Sequence, residues 1–211
     1  MRAFRDLPPN YRPYGELNLD NSRLLLVMNL LGLGLLVAAG GLFAMLINAL
    51  RPHTGEFVWI VWGGNTISTI GQVVALVGLL LLMIVLHEGF HGLAFWFFTH
   101  DRPQFTFKGW YASASAPGWY FTLPAYALIG LLPLFGISLL GLAAVLLVPE
   151  SWVVPLWAFM TINAAGAVGD LLMVGWVLRL PRGALVQDFH TRTVAYVPQS
   201  VPPTPEHVPS R

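Results

Sequence analysis

Four long runs of apolar residues dominate the chain, and shorter polar or proline-containing stretches separate them. The runs cover about 24–50, 67–98, 121–148 and 152–178. Each run exceeds the about 20 residues that a helix needs to cross the hydrocarbon core of a bilayer. Helices are the default there, because an unpaired backbone group in lipid costs several kcal/mol. The pattern therefore predicts an all-α membrane protein with about four transmembrane helices, and Pro133 predicts a kink or a break in the third.

Composition supports a membrane protein and narrows the chemistry. The 211 residues are 56% hydrophobic and 10% charged, whereas a soluble domain has about 25% charged residues. The net charge of +1 creates no basic field, so no nucleic acid partner is expected. The chain has no cysteine, so any metal must be bound by His, Asp or Glu.

The basic residues predict the orientation. Ten of the eleven Lys and Arg residues lie in 1–23, 102–108 and 179–211, and only Arg51 lies on the other side of a four-span arrangement. Because basic loops stay in the cytoplasm, we expect both termini to be cytoplasmic. The protein is thus predicted to be an integral multi-pass protein of a bacterial cytoplasmic membrane, with the lipid bilayer as a partner.

The polar segments divide the chain further. We expect a cytoplasmic N-terminal segment (1–23), a single transmembrane domain (24–196) and a proline-rich disordered tail (197–211). The outer loop 51–66 carries aromatic residues typical of an interfacial belt, which are Phe57, Trp59 and Trp62. The loop 102–120 has alternating residues and turn signals that predict a short β-hairpin. This hairpin could bind an extended peptide beside the site, or it could be an ordinary interfacial loop.

One span carries a compact polar motif. The sequence His87-Glu88-Gly89-Phe90-His91 is H-E-x-x-H, which on a helix places both imidazoles on one face. Two such rings can bind one Zn²⁺, while Glu88 can act on a water molecule beside the metal. The alternative is a structural role, in which hydrogen-bonded histidines and a paired Glu88 hold helices together.

A catalytic zinc usually has three protein ligands, and Asp170 is the other acid within the predicted spans. His91 lies ten residues before Asp101, or about 15 Å of helix, and Asp170 lies nine residues before Arg179, or about 14 Å, so their depths match. The small residues of 164–169 predict a close helix approach, with Gly89 and Gly92 as the opposite surface. Alternatively, Asp170 is an isolated buried acid that stays protonated.

Asn163 lies seven residues before Asp170, on nearly the same helix face. It could orient a substrate carbonyl or stabilise an oxyanion as a catalytic residue. An interhelical hydrogen bond is the equally open alternative. Asp188, after the last span, is interpreted as a surface residue.

These residues resemble the putative zincin peptidase family of small multi-pass membrane proteins, over about 70–197. The shared features are His87–His91 on an apolar helix, Asn163…Gly169-Asp170 on a later one, and Val186-Gln187-Asp188…Tyr196. The chain is also similar to the core of the site-two intramembrane metalloproteases, although it has Gly-Asp-Leu where they have Leu-Asp-Gly. The resemblance implies His87, His91 and Asp170 as zinc ligands and Glu88 as the catalytic base.

The predicted function is therefore a zinc-dependent intramembrane peptidase. Its substrate would be a transmembrane or membrane-associated peptide, hydrolysed by a metal-activated water with Glu88 as base. Two other classes stay open: a proton or metal-ion transporter, which also needs polar residues at membrane depth, and a non-catalytic zinc-stabilised scaffold.

Overall fold

The computed structural model describes residues 1–19, 21–52, 66–107, 112–189 and 192–201. Three predictions concern residues outside these ranges. They are the outer aromatic belt at Phe57, Trp59 and Trp62, the part of the hairpin loop at 108–111, and the tail beyond 201.

Five helices form the apolar part of the described chain. They are α1 (Ser22–Leu50), α2 (Thr66–Thr99), α3 (Leu123–Val145), α4 (Val153–Gly166) and α5 (Val168–Val177). The first three are each long and apolar enough to cross a membrane. The pair α4–α5 makes a fourth candidate when counted as one bent span, so the prediction of about four spans agrees with helix length and composition.

The fourth predicted span is not one straight helix. Its two halves meet at an angle of 42°, with Ala167 as the junction at φ −72° and ψ 6°. The break lies in the run of small residues 164–169, where Gly166 and Gly169 lower helix stability. The bend makes Asp170 part of the first turn of a new helix.

The prediction of an all-α protein is wrong, because a five-stranded antiparallel sheet accompanies the helices. The strands are β1 (Ala3–Phe4), β2 (Tyr11–Asn18), β5 (Tyr120–Thr122), β6 (Leu185–Phe189) and β7 (Arg192–Pro198). Their order in the sheet is β1-β5-β6-β7-β2. These strands are short and partly polar, so the pattern of long apolar runs does not predict them. A signal existed in β7, where Thr193, Ala195 and Val197 alternate as buried positions.

A separate two-stranded hairpin confirms the prediction for the loop 102–120. Its strands are β3 (Gln104–Phe107) and β4 (Ala112–Ser115), which pair antiparallel with Phe105 opposite Ala114.

The sheet joins three segments that are far apart in sequence. The N-terminal strands β1 and β2 pair with β5, which precedes α3, and with β7, which follows α5. The start of α1, the start of α3 and the end of α5 therefore lie at one end of the helix bundle. This is the common side on which the charge pattern places them, and its assignment to the cytoplasm stays a prediction.

A buried cluster anchors the helices beneath the sheet. It includes Phe95 of α2, Phe121 of β5, Tyr126 of α3, Met173 of α5 and Val186 of β6, each at most 7% exposed. Burial of such side chains contributes about 1.5–3 kcal/mol each. The cluster fixes the relative positions of α2, α3 and α5, which carry the polar residues described below.

The small residues of 164–169 approach α1 rather than α2. A Cβ at Gly32 would lie 3.3 Å from the carbonyl oxygen of Ala165, and one at Gly169 would lie 3.2 Å from the Met28 side chain. The predicted opposite surface on α2 is wrong, because Gly92 packs against the ring of Phe105 from the hairpin and a Cβ at Gly89 would meet nothing within 4 Å.

Candidate metal centre

Helix α2 presents the predicted motif to the interior. The His87 and His91 side chains are 12% and 11% exposed, and their ring centroids are 5.0 Å apart. One helical turn separates them, as i, i+4 spacing requires. The two rings therefore form a pair of nitrogen ligands on one face of an otherwise apolar helix.

Asp170 approaches this pair from the first turn of α5. Its Oδ2 lies 3.1 Å from Nε2 of His87, and its Oδ1 lies 3.2 Å from Nε2 of His91. A carboxylate is favoured near a helix N-terminus, where backbone N–H groups and the helix dipole are positive. The three residues proposed from sequence as ligands thus converge, and the bend before α5 makes this possible.

The other ring nitrogen of each histidine has an oxygen acceptor. Nδ1 of His87 lies 2.9 Å from Oδ1 of Asn163, and Nδ1 of His91 lies 3.0 Å from the carbonyl oxygen of Ile129. Both oxygens can only accept, so each Nδ1 carries the proton. Nε2 of each ring therefore faces Asp170, as a lone pair when the ring is neutral or as an N–H donor when the ring carries both protons.

This arrangement fits a zinc ion. The three ligand atoms lie within 4.8 Å of one another. Tetrahedral zinc with ligand distances of 2.0–2.1 Å separates neighbouring ligand atoms by about 3.3 Å, close to the separations between Asp170 and the rings. A zinc ion between these groups would be bound by the two Nε2 lone pairs and by the carboxylate. Nitrogen and oxygen ligands without sulfur suit zinc.

Glu88 lies beside the ligands, in contact with the hairpin. Its Oε2 accepts a hydrogen bond of 2.7 Å from the backbone N–H of Ala114 in β4. A cavity of about 310 Å³ brings Glu88, the three proposed ligands and β4 together. The cavity gives water and a substrate room next to the carboxylate.

Asn163 is completely buried in α4, and both ends of its amide are engaged. Its Nδ2 donates to the carbonyl oxygen of Pro133 at 3.2 Å, while Oδ1 accepts from His87. These contacts match the interhelical hydrogen-bond alternative. A direct contact with substrate stays a prediction, and it would require the amide to release one of these partners.

Sequence reasoning missed two groups near the centre. One is the backbone carbonyl of Ile129. Every residue has such a carbonyl, so the residue type does not indicate which one is an acceptor. The other is Asp188, which is 7% exposed and lines the cavity, so its interpretation as a surface residue is wrong. Tyr126 donates to Oδ2 of Asp188 at 3.0 Å, and its hydroxyl also lies 3.0 Å from that of Thr193. The available signal was the alternation in β7, where buried Thr193 pairs with Asp188 of β6.

A family model described as "Putative zincin peptidase" matches residues 80–185, which is half of the chain. The chain belongs to this family. The matched region contains the α2 motif, Asn163 and Asp170, and membership in the zincin peptidase family indicates a zinc-dependent metallopeptidase. No curated protein and no solved structure matches the chain.

Proposed function

We propose that this member of the zincin peptidase family is an intramembrane peptidase. His87, His91 and Asp170 hold the zinc ion, and Glu88 is the catalytic base. The observation that carries the proposal is the convergence of both Nε2 atoms on Asp170 at 3.1 and 3.2 Å. The two histidines and Glu88 lie on a helix of membrane-spanning length, and Asp170 lies in a bent helix pair that together reaches that length.

A bound zinc ion supplies Lewis-acid activation of water and of the scissile carbonyl. Glu88 accepts a proton as the water oxygen bonds to the carbonyl carbon, and it gives a proton to the amine as the C–N bond breaks. The Ala114 N–H keeps the Glu88 carboxylate on the cavity side of α2. Asn163 holds the ring of His87 in the orientation that the zinc site needs.

The depth of the site supports cleavage within the membrane. His91 lies eight residues before Thr99 at the end of α2, which is about 12 Å of helix. Polar groups at such depth are tolerated where they line a cavity inside the protein. The cavity that contains Glu88 meets this requirement.

The edge of β4 is suited to bind an extended substrate. Because the N–H of Ala114 points away from β3 to Glu88, alternation along the strand directs the N–H of Ala112 to the same outer edge. Among the described residues, this edge pairs with no other strand. A peptide added there would run past Glu88 in an extended form, with its backbone accessible to attack.

Replacing Ala112 by proline is expected to raise KM about two- to tenfold and to leave kcat nearly unchanged. The substitution removes one N–H from the binding edge, and a hydrogen bond contributes about 0.5–1.5 kcal/mol. The measurement is cleavage of a panel of fluorogenic single-span peptides in detergent micelles. Ala112→Val is the matched control, because it keeps the N–H and favours a strand. Equal KM values for the proline variant and the wild type would contradict strand addition.

The proposed function is tested first by metal removal. The purified protein is expected to contain about one zinc per chain, to lose hydrolysis of the same peptides on treatment with a chelator, and to regain it with added zinc. Metal analysis by mass spectrometry and the peptide assay provide the two readouts. Zinc flux through proteoliposomes without hydrolysis would favour the transporter instead.

A further inference from the structure

We infer that Pro133 is a positioning residue for the zinc site, because it leaves a helix carbonyl available to orient His91. This inference rests on the proposed zinc-binding function. Pro133 is outside the H-E-x-x-H motif and is not a proposed zinc ligand. It acts through the backbone carbonyl of Ile129.

Pro133 leaves one backbone hydrogen bond of α3 unformed. In an α-helix the N–H of residue i donates to the carbonyl of residue i−4, so residue 133 would normally satisfy the carbonyl of Ile129. Proline has no N–H, and its ring also pushes that carbonyl away from the helix axis. Nδ1 of His91 lies 3.0 Å from this same oxygen and takes the place of the missing donor.

Because the Ile129 carbonyl is buried, it needs another donor in place of the missing N–H of residue 133. Ile129 is 2% exposed, and Pro133 is among the fully buried side chains. A buried carbonyl without a donor is costly, and the N–H of His91 removes that cost. The carbonyl in turn fixes a proton on Nδ1 of His91, so in the neutral ring that zinc binds, Nε2 is the free ligand atom and faces Asp170.

The same turn of α3 also supports the second histidine. The carbonyl oxygen of Pro133 accepts from Nδ2 of Asn163 at 3.2 Å, and Oδ1 of Asn163 accepts from Nδ1 of His87 at 2.9 Å. Two carbonyls of α3 therefore orient the two rings. The Ile129 carbonyl orients His91 directly, and the Pro133 carbonyl orients His87 through Asn163. This accounts for a proline in the middle of an apolar helix, where it otherwise destabilises the structure.

The test compares the variants Pro133→Ala and Pro133→Val with the wild type. Both restore an N–H that competes with His91 for the Ile129 carbonyl, so both are expected to weaken zinc binding about 10–100-fold. Valine fills the space that alanine leaves empty, so a loss shared by both variants assigns the effect to the restored N–H. The dissociation constant is measured on the full-length protein in micelles by competition between the protein and a zinc chelator.

Pro124→Ala is the matched control. Pro124 lies in the first turn of the same helix, where a backbone N–H has no intrahelical acceptor, and its replacement should leave the zinc dissociation constant unchanged. Metal-free Pro133 variants should unfold at the same temperature as the metal-free wild type or higher, because α3 regains a hydrogen bond. Weaker zinc binding in variants whose metal-free form is as stable as the wild type would separate positioning from a merely structural role.

Nitrogen NMR of ¹⁵N-histidine-labelled wild type gives a readout independent of the variants. We expect a protonated Nδ1 and a zinc-bound Nε2 for His91. A zinc-bound Nδ1 would overturn the inference. Because this measurement needs only the wild type, it decides the question even if both variants fail to fold. If the wild type and both Pro133 variants bind zinc equally well, the inference fails and the proposed function stands. If the wild type binds no zinc, both fail.

Discussion

Replacement of Glu88 by glutamine is expected to lower kcat for peptide hydrolysis by about 10²–10⁴-fold, the usual contribution of a general base. Glutamine has nearly the same shape but cannot accept the proton of the attacking water. Its amide oxygen can still accept from the N–H of Ala114, the 2.7 Å partner of the carboxylate. Zinc content should therefore stay at the wild-type level. The measurement combines single-turnover cleavage of the fluorogenic peptides with metal analysis of the same sample.

Glu150→Gln is the matched control for this change. Glu150 lies in a single 3₁₀ turn (Glu150–Trp152) before α4, at the end of the bundle away from the sheet, so its loss of charge should not alter the rate. Cleavage by Glu88→Gln at the wild-type rate would refute the base assignment. Loss of zinc from the same variant would show instead that Glu88 supports metal binding.

Replacement of Asp170 by asparagine is expected to abolish stoichiometric zinc binding and, with it, hydrolysis. The carboxylate contacts both rings, and it supplies the negative charge that offsets the cation at this depth. Loss of a direct ligand should reduce affinity by more than the about 10–100-fold expected for an outer partner. Metal analysis after dialysis and the zinc-dependent shift in unfolding temperature are the two measurements.

Asp188→Asn is a control of matched chemistry, because Asp188 is a buried acid that lines the same cavity. It accepts a hydrogen bond from Tyr126 and is not among the three proposed ligands, so the variant should keep its zinc. If both variants lost zinc equally, the total negative charge of the cavity, and not coordination by Asp170, would control binding. If Asp170→Asn kept one zinc per chain, the ligand set would be wrong.

The convergence at the centre was only partly predictable. Asp170 could be selected because few ionisable residues lie in the apolar runs and because its depth matches that of His91. The roles of these residues in binding and catalysis stay proposals. The acceptors of both Nδ1 atoms could not be predicted, since one is a backbone carbonyl of Ile129 and the other depends on how the Asn163 amide is turned.

Local periodicity and composition were enough to predict several features of the chain. These are the span-length helices, the hairpin in 102–120 and the placement of two imidazoles on one helix face. Long-range packing set the sheet, the bend before α5, and the acceptors of the two Nδ1 atoms, which are Asn163 for His87 and Ile129 for His91, 76 and 38 positions away. Such contacts depend on how whole elements pack against one another. That packing involves many side chains from distant parts of the sequence, so no single segment predicts it.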